Sequence, residues 1–178
     1  MFNFILGILW LFLPAGLANM SPALFRWFPF LNTPIDYGKI RGGKRILGDN
    51  KTWRGLICGT LVAIIFVFIQ KSIYPWTGGF SIINYSEINF LFLGFLLGFG
   101  ALFGDIFESF LKRRKNLEPG ESWVPYDQID WILGGILFLN IYILLPLKTN
   151  IGILIIFGII HPVVNHIAYW LDIRKTKF

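Results

Sequence analysis

The sequence predicts an all-α integral membrane protein, and its composition is the first reason. Of 178 residues, 55% are hydrophobic and only 15% are charged, and the mean hydropathy is +0.63. A soluble domain of this size leaves too much surface in water to hide so much apolar area. The second reason is that the apolar residues form five separate runs, each about as long as a helix that crosses a bilayer. We therefore predict a single membrane-embedded domain over residues 1–178.

The five predicted transmembrane helices follow one another along the chain. They cover approximately residues 2–20, 53–74, 88–111, 129–147 and 151–171. The first run has no Lys or Arg before it, which is the wrong polarity for a cleaved secretory signal, so we predict that it stays as a membrane helix. Glycines recur at roughly helical spacing in the third run, at positions 94, 98, 100 and 104. This spacing predicts a face that neighbouring helices approach closely.

The cations are concentrated in alternate connections, and this sets the predicted orientation. Most of them lie after the first helix, after the third helix and in the C-terminal tail: Lys39, Arg41, Lys44, Arg45, Lys51, Lys112, Arg113, Arg114, Lys115, Arg174, Lys175 and Lys177. The positive-inside rule therefore predicts an N-terminus outside, a cytoplasmic C-terminus and a site that faces the cytoplasm of a cell membrane. This topological role alone can explain Arg114 and Lys115. The pattern, with a formal charge of +6, favours lipid head groups over nucleic acid as the partner.

An ionisable cluster lies where the third predicted helix meets the cytoplasmic face. Asp105, Ser109 and Lys112 are spaced i, i+4, i+7 and so share one helical face, with Glu108 beside them. Charge next to lipid is costly, and a cluster of this kind at a membrane boundary is therefore a functional-site hypothesis.

Two acids, Asp127 and Asp130, stand one helical turn apart at the start of the fourth predicted helix. They could cap the helix, because its dipole stabilises negative charge at the N-terminus. Alternatively they could hold Mg²⁺, which prefers hard oxygen ligands and shares them with waters and substrate phosphates. The spacing leaves both interpretations open, and the presence of Asp105 at the same face favours the metal.

The segment Gly48–Gly55 combines glycines, cations and a hydroxyl directly before the second predicted helix. Lys51 and Arg54 supply positive charge, Thr52 supplies a hydroxyl, and the helix N-terminus favours an anion. The segment lacks the Walker A spacing and no parallel sheet precedes it, which disfavours a P-loop ATPase. Contact with a phosphate of another kind and plain loop solubility remain as explanations.

Polar residues also occur in the first and fifth predicted helices. His161 is predicted to lie near mid-membrane, where an interhelical hydrogen bond is favoured over a role as a catalytic base. Asn19 closes the first helix and is predicted to line the same cavity. Trp131 is among the aromatic residues that fall near predicted interfaces. Cys58 is the only cysteine, which excludes an internal disulfide or a cysteine-rich metal site.

Taken together, these segments resemble a known enzyme family. GDIFESFLKRR followed by Asp127 and Asp130 is similar to the signature of the integral-membrane CTP:phosphatidate cytidylyltransferases, and the closer resemblance is to the smaller CDP-archaeol synthase family. The resemblance covers nearly the whole chain, through Asn19–Pro22, Gly43–Gly55, Gly104–Arg114, Pro119–Asp130 and His161–Asn165. The chain departs from the phosphatidate enzymes in its shorter third loop, which favours the CDP-archaeol synthases.

The resemblance implies transfer of CMP from CTP to a lipid phosphate, with release of pyrophosphate and with Mg²⁺ as cofactor. The implied lipid is unsaturated archaetidic acid, 2,3-bis-O-geranylgeranylglycerol 1-phosphate, and the product is CDP-archaeol. Catalytic roles fall to Asp105, Lys112, Asp127 and Asp130, and the three acids are the implied Mg²⁺ ligands. The implied substrate contacts are Lys51, Thr52, Arg54, Ser109, Arg113 and Asn19.

Two other functions remain open at this stage. One is a phosphatidate cytidylyltransferase that acts on diacyl lipid. The other is of a different class, a non-catalytic membrane subunit or a small cation transporter. Transport predicts acids near the bilayer midplane, whereas the acids here fall at the predicted cytoplasmic edge. The sequence is compatible with a homodimer and does not fix the oligomeric state.

Overall fold

The structure is a computed structural model that describes residues 1–118 and 121–170. Its helices are α1 (Phe2–Leu24), α2 (Trp53–Ser72), α3 (Tyr74–Thr77), α4 (Phe90–Arg114), α5 (Tyr126–Tyr142) and α6 (Leu147–Trp170). A 3₁₀ turn, Phe25–Trp27, follows α1, and strands β1 (Ile40–Arg41) and β2 (Lys44–Arg45) lie between α1 and α2. The predicted cytoplasmic tail and the motif residue Pro119 lie outside the described residues.

Four of the five predicted transmembrane helices have the length and composition of membrane spans. These are Phe2–Trp27, Trp53–Ser72, Phe90–Arg114 and Leu147–Ile167. The fourth predicted span corresponds to α5, which has 17 residues. At 1.5 Å per residue α5 is about 26 Å long, a little short of a hydrocarbon core of about 30 Å.

Several helix boundaries differ from the prediction, and side chains explain most of the differences. Helix α4 runs through Arg114 rather than ending at 111, because Lys112 contacts Glu108 one turn back. Helix α5 stops at Tyr142, where the side-chain oxygen of Asn140 accepts the Leu145 N–H. The link to α6 is therefore residues 143–146 rather than 148–150.

The hairpin of β1 and β2 is a departure from the predicted all-α fold. The two strands pair antiparallel, with Ile40 opposite Arg45. Gly42 and Gly43 connect them with φ values of 61° and 75°, a conformation that glycine adopts without strain and that matches the twist of a two-residue hairpin. The Gly-Gly pair is the sequence signal that indicates this turn.

Helix α4 is at the centre of the bundle, and its glycines set how closely its neighbours approach. A Cβ atom on Gly98 would lie 2.9 Å from the Thr60 Cα of α2. A Cβ on Gly104 would collide with the Asp130 carbonyl oxygen of α5. The glycine face predicted in the third apolar run is thus confirmed, with Gly94 and Gly98 against α2 and Gly100 and Gly104 against α5.

The core is apolar and is shared by all the long helices. Fully buried side chains come from α1, α2, α4, α5 and α6, namely Ile8, Phe12, Val67, Leu97, Ile132 and Ile153. The outward faces are apolar too, as Ile65, Leu137 and Ile155 show with exposed fractions of 58%, 61% and 56%. Apolar residues both inside and outside are what a helix bundle in lipid requires.

Candidate active site at one end of the helices

A cavity of about 720 Å³ lies where five helices and the loop before α2 meet at one end of the bundle. Its walls come from the C-terminal halves of α1, α4 and α6, the N-terminal ends of α2 and α5, and the loop before α2. The structure brings every candidate residue named from the sequence to this cavity: Asn19, Lys51, Thr52, Arg54, Asp105, Ser109, Lys112, Arg113, Asp127 and Asp130. Residues as far apart in the chain as Leu13 and Asn165 line the same space.

The loop before α2 is organised around the buried carboxylate of Asp36. Its oxygens accept the backbone N–H groups of Gly38, Leu47 and Gly48 at 2.9–3.3 Å, and Arg45 pairs with it at 2.9 Å. Burial alone would raise the pKa of Asp36, but these donors outweigh burial and hold it well below its usual value of 3.8. The charged carboxylate thereby fixes the course of the loop toward Lys51.

Lys51 lies at the end of this loop, where its side chain contacts α4. Its Nζ donates a hydrogen bond to Asp105 Oδ2 on α4 at 2.6 Å. Burial favours the neutral amine, yet the negative charge of Asp105 has the larger combined effect, and the pKa of Lys51 is raised. An ammonium group is therefore maintained at this wall of the cavity.

Lys112 is a second cation of the cavity, and it lies among acids about two helical turns after Asp105 on α4. Lys112 Nζ lies 2.8 Å from Asp127 Oδ1 and 3.1 Å from Glu108 Oε1, but neither contact has hydrogen-bond geometry. The other oxygen of Asp127 accepts the Trp123 N–H at 2.9 Å. Glu108 was not assigned a role from the sequence, although its i, i+4 spacing to Lys112 is a signal for this contact.

Asp130 is an acid with a buried, unsatisfied oxygen, and unlike Asp105 and Asp127 it makes no ion pair among the described residues. In the described part of the chain, its buried Oδ1 has no hydrogen-bond partner, which is costly unless a ligand or ion supplies one. Asp130 interacts electrostatically with Asp105 and Lys51. Carboxylate oxygens are suitable Mg²⁺ donors, and a buried orphan oxygen is where a cation would fit.

The acids do not by themselves form a complete metal cage. Among residues 1–118 and 121–170, no group of three or more His, Cys, Asp or Glu side chains is close enough to hold a metal ion. Asp105 and Asp127 each contact a lysine ammonium. Since Mg²⁺ commonly uses one or two carboxylates and takes its other ligands from water and substrate phosphates, the donor set fits an ion that arrives with a nucleotide.

The remaining candidate side chains have different surroundings. Arg113 is buried, donates to the Glu118 carbonyl at 3.2 Å and lies beside Gly48. Thr52 caps α2 by accepting the Gly55 N–H at 3.2 Å. Ser109 is buried against the cavity. Asn19 lines it from the end of α1.

Arg54 is engaged in holding the chain rather than facing the cavity freely. Its guanidinium donates to the Phe28 carbonyl and, at 2.7 Å, to Asn32 Oδ1. Arg114 also stabilises the chain, because it donates hydrogen bonds to the carbonyls of Arg41 and Arg45 at 2.7 and 2.6 Å. Arg114 thus joins the hairpin to the end of α4, a role that the run of cations in the sequence did not reveal.

His161 makes the interhelical hydrogen bond predicted for it. Trp131 Nε1 donates to His161 Nδ1 at 3.1 Å, which links α5 to α6 beside the cavity. Trp131 is therefore a buried core residue rather than an interfacial ring, since the closer α4–α5 approach at Gly104 draws it inward.

Comparisons with known proteins agree over the whole chain. The family model described as "CarS-like: CDP-archaeol synthase" matches residues 1–178. The chain is 38% identical over 176 residues to a CDP-archaeol synthase from Pyrococcus furiosus, covering 98% of each chain. It is 40% identical over 172 residues to one from Methanococcus maripaludis, covering 94% of this chain and 93% of the relative. A solved structure of an intramembrane enzyme for archaeal membrane lipids biosynthesis superposes with a TM-score of 0.73 at 26% identity, over 90% of this chain and 94% of the other.

Proposed function

The chain belongs to the CDP-archaeol synthase family, and on that premise we propose that its lipid substrate is unsaturated archaetidic acid, 2,3-bis-O-geranylgeranylglycerol 1-phosphate. Family membership makes it a CTP-dependent cytidylyltransferase of membrane-lipid biosynthesis and a multi-pass membrane protein. The proposed products are CDP-archaeol and pyrophosphate.

The observation that best supports this proposal is that the cavity is lined by both ionisable and apolar side chains. The loop, α4 and α5 supply the cations and acids of the lining, while α1 and α6 supply mainly apolar side chains, such as Leu13, Leu17, Phe157 and Ile160. A small polar substrate alone would not need the apolar side chains. A triphosphate and a lipid phosphate that meet in one cavity require both kinds of lining, charged groups for the phosphates and apolar side chains for the lipid.

The proposed reaction needs no nucleophilic side chain. An anionic oxygen of the lipid phosphate attacks the α-phosphorus of CTP, a new P–O bond forms, and the bond to the β-phosphate oxygen breaks with its electron pair leaving on pyrophosphate. Catalysis then consists of positioning and of neutralising charge on the phosphates. Lys51 and Lys112 are placed for this, because the triphosphate can take over ammonium groups that contact acids at 2.6 and 2.8 Å.

Asp130, Asp105 and Asp127 are the residues that would hold Mg²⁺. When bound, the ion would neutralise triphosphate oxygens and strengthen the electrophilic character of the α-phosphorus. Support comes from Asp130 Oδ1, which is buried and has no hydrogen-bond partner among the described residues, and from the electrostatic repulsion between Asp130 and Asp105, which a cation would relieve. Ser109 and Thr52 would donate hydrogen bonds, and Arg113 beside Gly48 would contact phosphate.

We further propose that α5 is a fifth span and that the cavity faces the cytoplasm. The shortfall of α5 is small, and membranes adapt to mismatch of a few Å by local thinning. Many cations of the described chain lie at the cavity end of the bundle, in the hairpin loop and at the end of α4, which is the arrangement that the positive-inside rule favours for the cytoplasmic side.

The experiment that tests the function is a lipid panel with the purified full chain. Pyrophosphate release is measured with CTP, Mg²⁺ and either the unsaturated ether lipid phosphate or a diacyl phosphatidic acid. We expect turnover that prefers the ether lipid. Faster turnover of the diacyl lipid would favour the phosphatidate enzymes, and no release with either lipid would overturn the proposal.

The proposed role of Asp130 is tested by nucleotide binding as well as by rate. Calorimetry of CTP binding to Asp130→Asn is compared with and without Mg²⁺. We expect the Mg²⁺-dependent gain in affinity to be largely lost, whereas Glu87→Gln, at the other end of the bundle, keeps it. An undiminished Mg²⁺ effect in Asp130→Asn would remove Asp130 from the ligand set.

A further inference from the structure

We propose that Arg26 is the first contact for the lipid phosphate as it enters the cavity from the bilayer. The inference rests on the proposed function and adds a residue to which no role was assigned from the sequence. Arg26 lies in the 3₁₀ turn directly after α1, and it lines the same cavity as the acids and lysines described above.

Among the described residues, Arg26 differs from the other cations of the cavity in having no polar partner. Within residues 1–118 and 121–170, the cavity is lined by Arg26, Lys51, Arg54, Lys112 and Arg113. Lys51 and Lys112 contact carboxylates, and Arg54 and Arg113 donate to carbonyl oxygens. The Arg26 guanidinium is exposed and contacts only the face of the Trp27 ring, at 4.7 Å from its centroid. Its donors are therefore available to an incoming anion.

The surroundings of Arg26 are those of a membrane–water interface. The turn ends the first candidate span, Phe2–Trp27. Trp27, Phe28 and Phe30 follow, with exposed fractions of 79%, 48% and 47%. Exposed aromatic rings at the end of an apolar helix settle at the level of the head groups, which places the guanidinium where lipid phosphates lie.

The apolar side of the cavity begins next to this turn. Leu17 and Leu24 on α1 and Ile160 and Val164 on α6 line it, so lipid chains held between α1 and α6 would present their phosphate at the end of α1. A phosphate captured by Arg26 would then move inward toward Lys51 and Asp130. Because Arg26 acts on entry, it should govern the lipid concentration needed for turnover and not the rate at saturation.

The test compares Arg26→Gln with Arg41→Gln, a matched loss of an exposed arginine on β1 that does not line the cavity. We expect KM for the ether lipid phosphate to rise roughly tenfold in Arg26→Gln, the effect of losing one charge-assisted contact. We expect kcat and KM for CTP to stay within about twofold, and Arg41→Gln to match the unsubstituted protein. Arg26→Met, which keeps an apolar stem over Trp27, provides the same test should the glutamine variant fold poorly.

A second measurement separates this inference from the proposed function. The rise in melting temperature caused by the lipid phosphate, recorded without CTP, should be lost in Arg26→Gln and kept in Arg41→Gln. An equal rise in all three proteins, an unchanged KM for lipid, or a higher KM for CTP would each overturn the assignment of Arg26. The unsubstituted protein could also show no turnover while the lipid phosphate still raises its melting temperature and fails to do so in Arg26→Gln. That result would contradict the proposed function and leave the assignment of Arg26 intact.

Discussion

The Lys51 ammonium lies 2.6 Å from the Asp105 carboxylate, although the two residues are 54 positions apart in the chain. This ion pair joins the loop before α2 to the helix at the centre of the bundle. In the proposed reaction the triphosphate would take over the contact with the Lys51 ammonium, and the Asp105 carboxylate would then be available to hold Mg²⁺.

A double-mutant cycle on this pair distinguishes a catalytic role from a structural one. We expect Lys51→Met to lower kcat/KM for CTP by about 100-fold, the usual effect of losing one preorganised positive group. If Lys51 only neutralised Asp105, the double variant with Asp105→Asn would regain activity. We expect no regain, and Lys39→Met, an exposed lysine outside the cavity, to be unaffected. Recovery of activity in the double variant would contradict the catalytic assignment.

Gly104→Ala should disturb the site through the backbone. The added Cβ would collide with the Asp130 carbonyl oxygen, which would force α4 and α5 apart and shift Asp105 relative to Asp130. We expect a loss of about 1–3 kcal/mol in the free energy of unfolding, together with lower activity. The matched control is Gly158→Ala on α6, where a Cβ meets open space and helix propensity improves. Equal melting temperatures for the two variants in detergent would show that the close contact at Gly104 is unimportant.

Asp36→Asn should loosen the loop in a pH-dependent manner. The pKa of Asp36 is lower in the folded chain than its usual value of 3.8, so its carboxylate contributes stability that is complete above about pH 4 and is lost as pH falls further. We therefore expect a clear difference in melting temperature between the unsubstituted protein and the variant at pH 7 and pH 5. The difference should shrink below pH 3.8. A difference that grows on acidification would contradict this assignment.

Arg114→Gln should weaken CTP binding although Arg114 does not line the cavity. Its two hydrogen bonds hold the hairpin against the end of α4, and the hairpin leads to Lys51. We expect KM for CTP to rise roughly tenfold, by the cost of about 1–1.5 kcal/mol for lost hydrogen bonds, with KM for lipid nearly unchanged. Lys115→Gln removes the adjacent cation, which contacts only the Trp123 ring, and serves as the control. If both variants raised KM for CTP by a similar factor, the effect of Arg114 would be a general electrostatic one and not the loss of its hydrogen bonds.

The helices and the identity of the candidate residues could be predicted from sequence because both depend on local pattern. Apolar runs of sufficient length predicted the positions of the long helices, and the i, i+4, i+7 spacing predicted that Asp105, Ser109 and Lys112 face one way. The combination of short segments was specific enough to indicate the family, which the comparisons confirmed.

What the sequence did not reveal depends on contacts between distant segments. No local signal links Asp36 to Leu47 or Arg114 to Arg41, since these pairs meet only after the loop folds back on α4. The same holds for the hydrogen bond from Arg54 to the Phe28 carbonyl, which no local signal in the sequence indicates. The hairpin was also not predicted, because its strands have two residues each and are too short to show the alternating pattern that indicates a strand.

The glycine contacts also divide the bundle into a stiff part and a compliant part. Backbone meets backbone where α4 touches α2 and α5, and where Gly59 of α2 lies against the Ala18 carbonyl of α1, and such contacts leave little room for sliding. Helix α6 instead meets α1 through side chains, such as Ile8 against Gly152. We therefore expect lipids of different chain bulk to be accommodated by displacement of α6, while the acids and lysines on the rigid side keep their spacing.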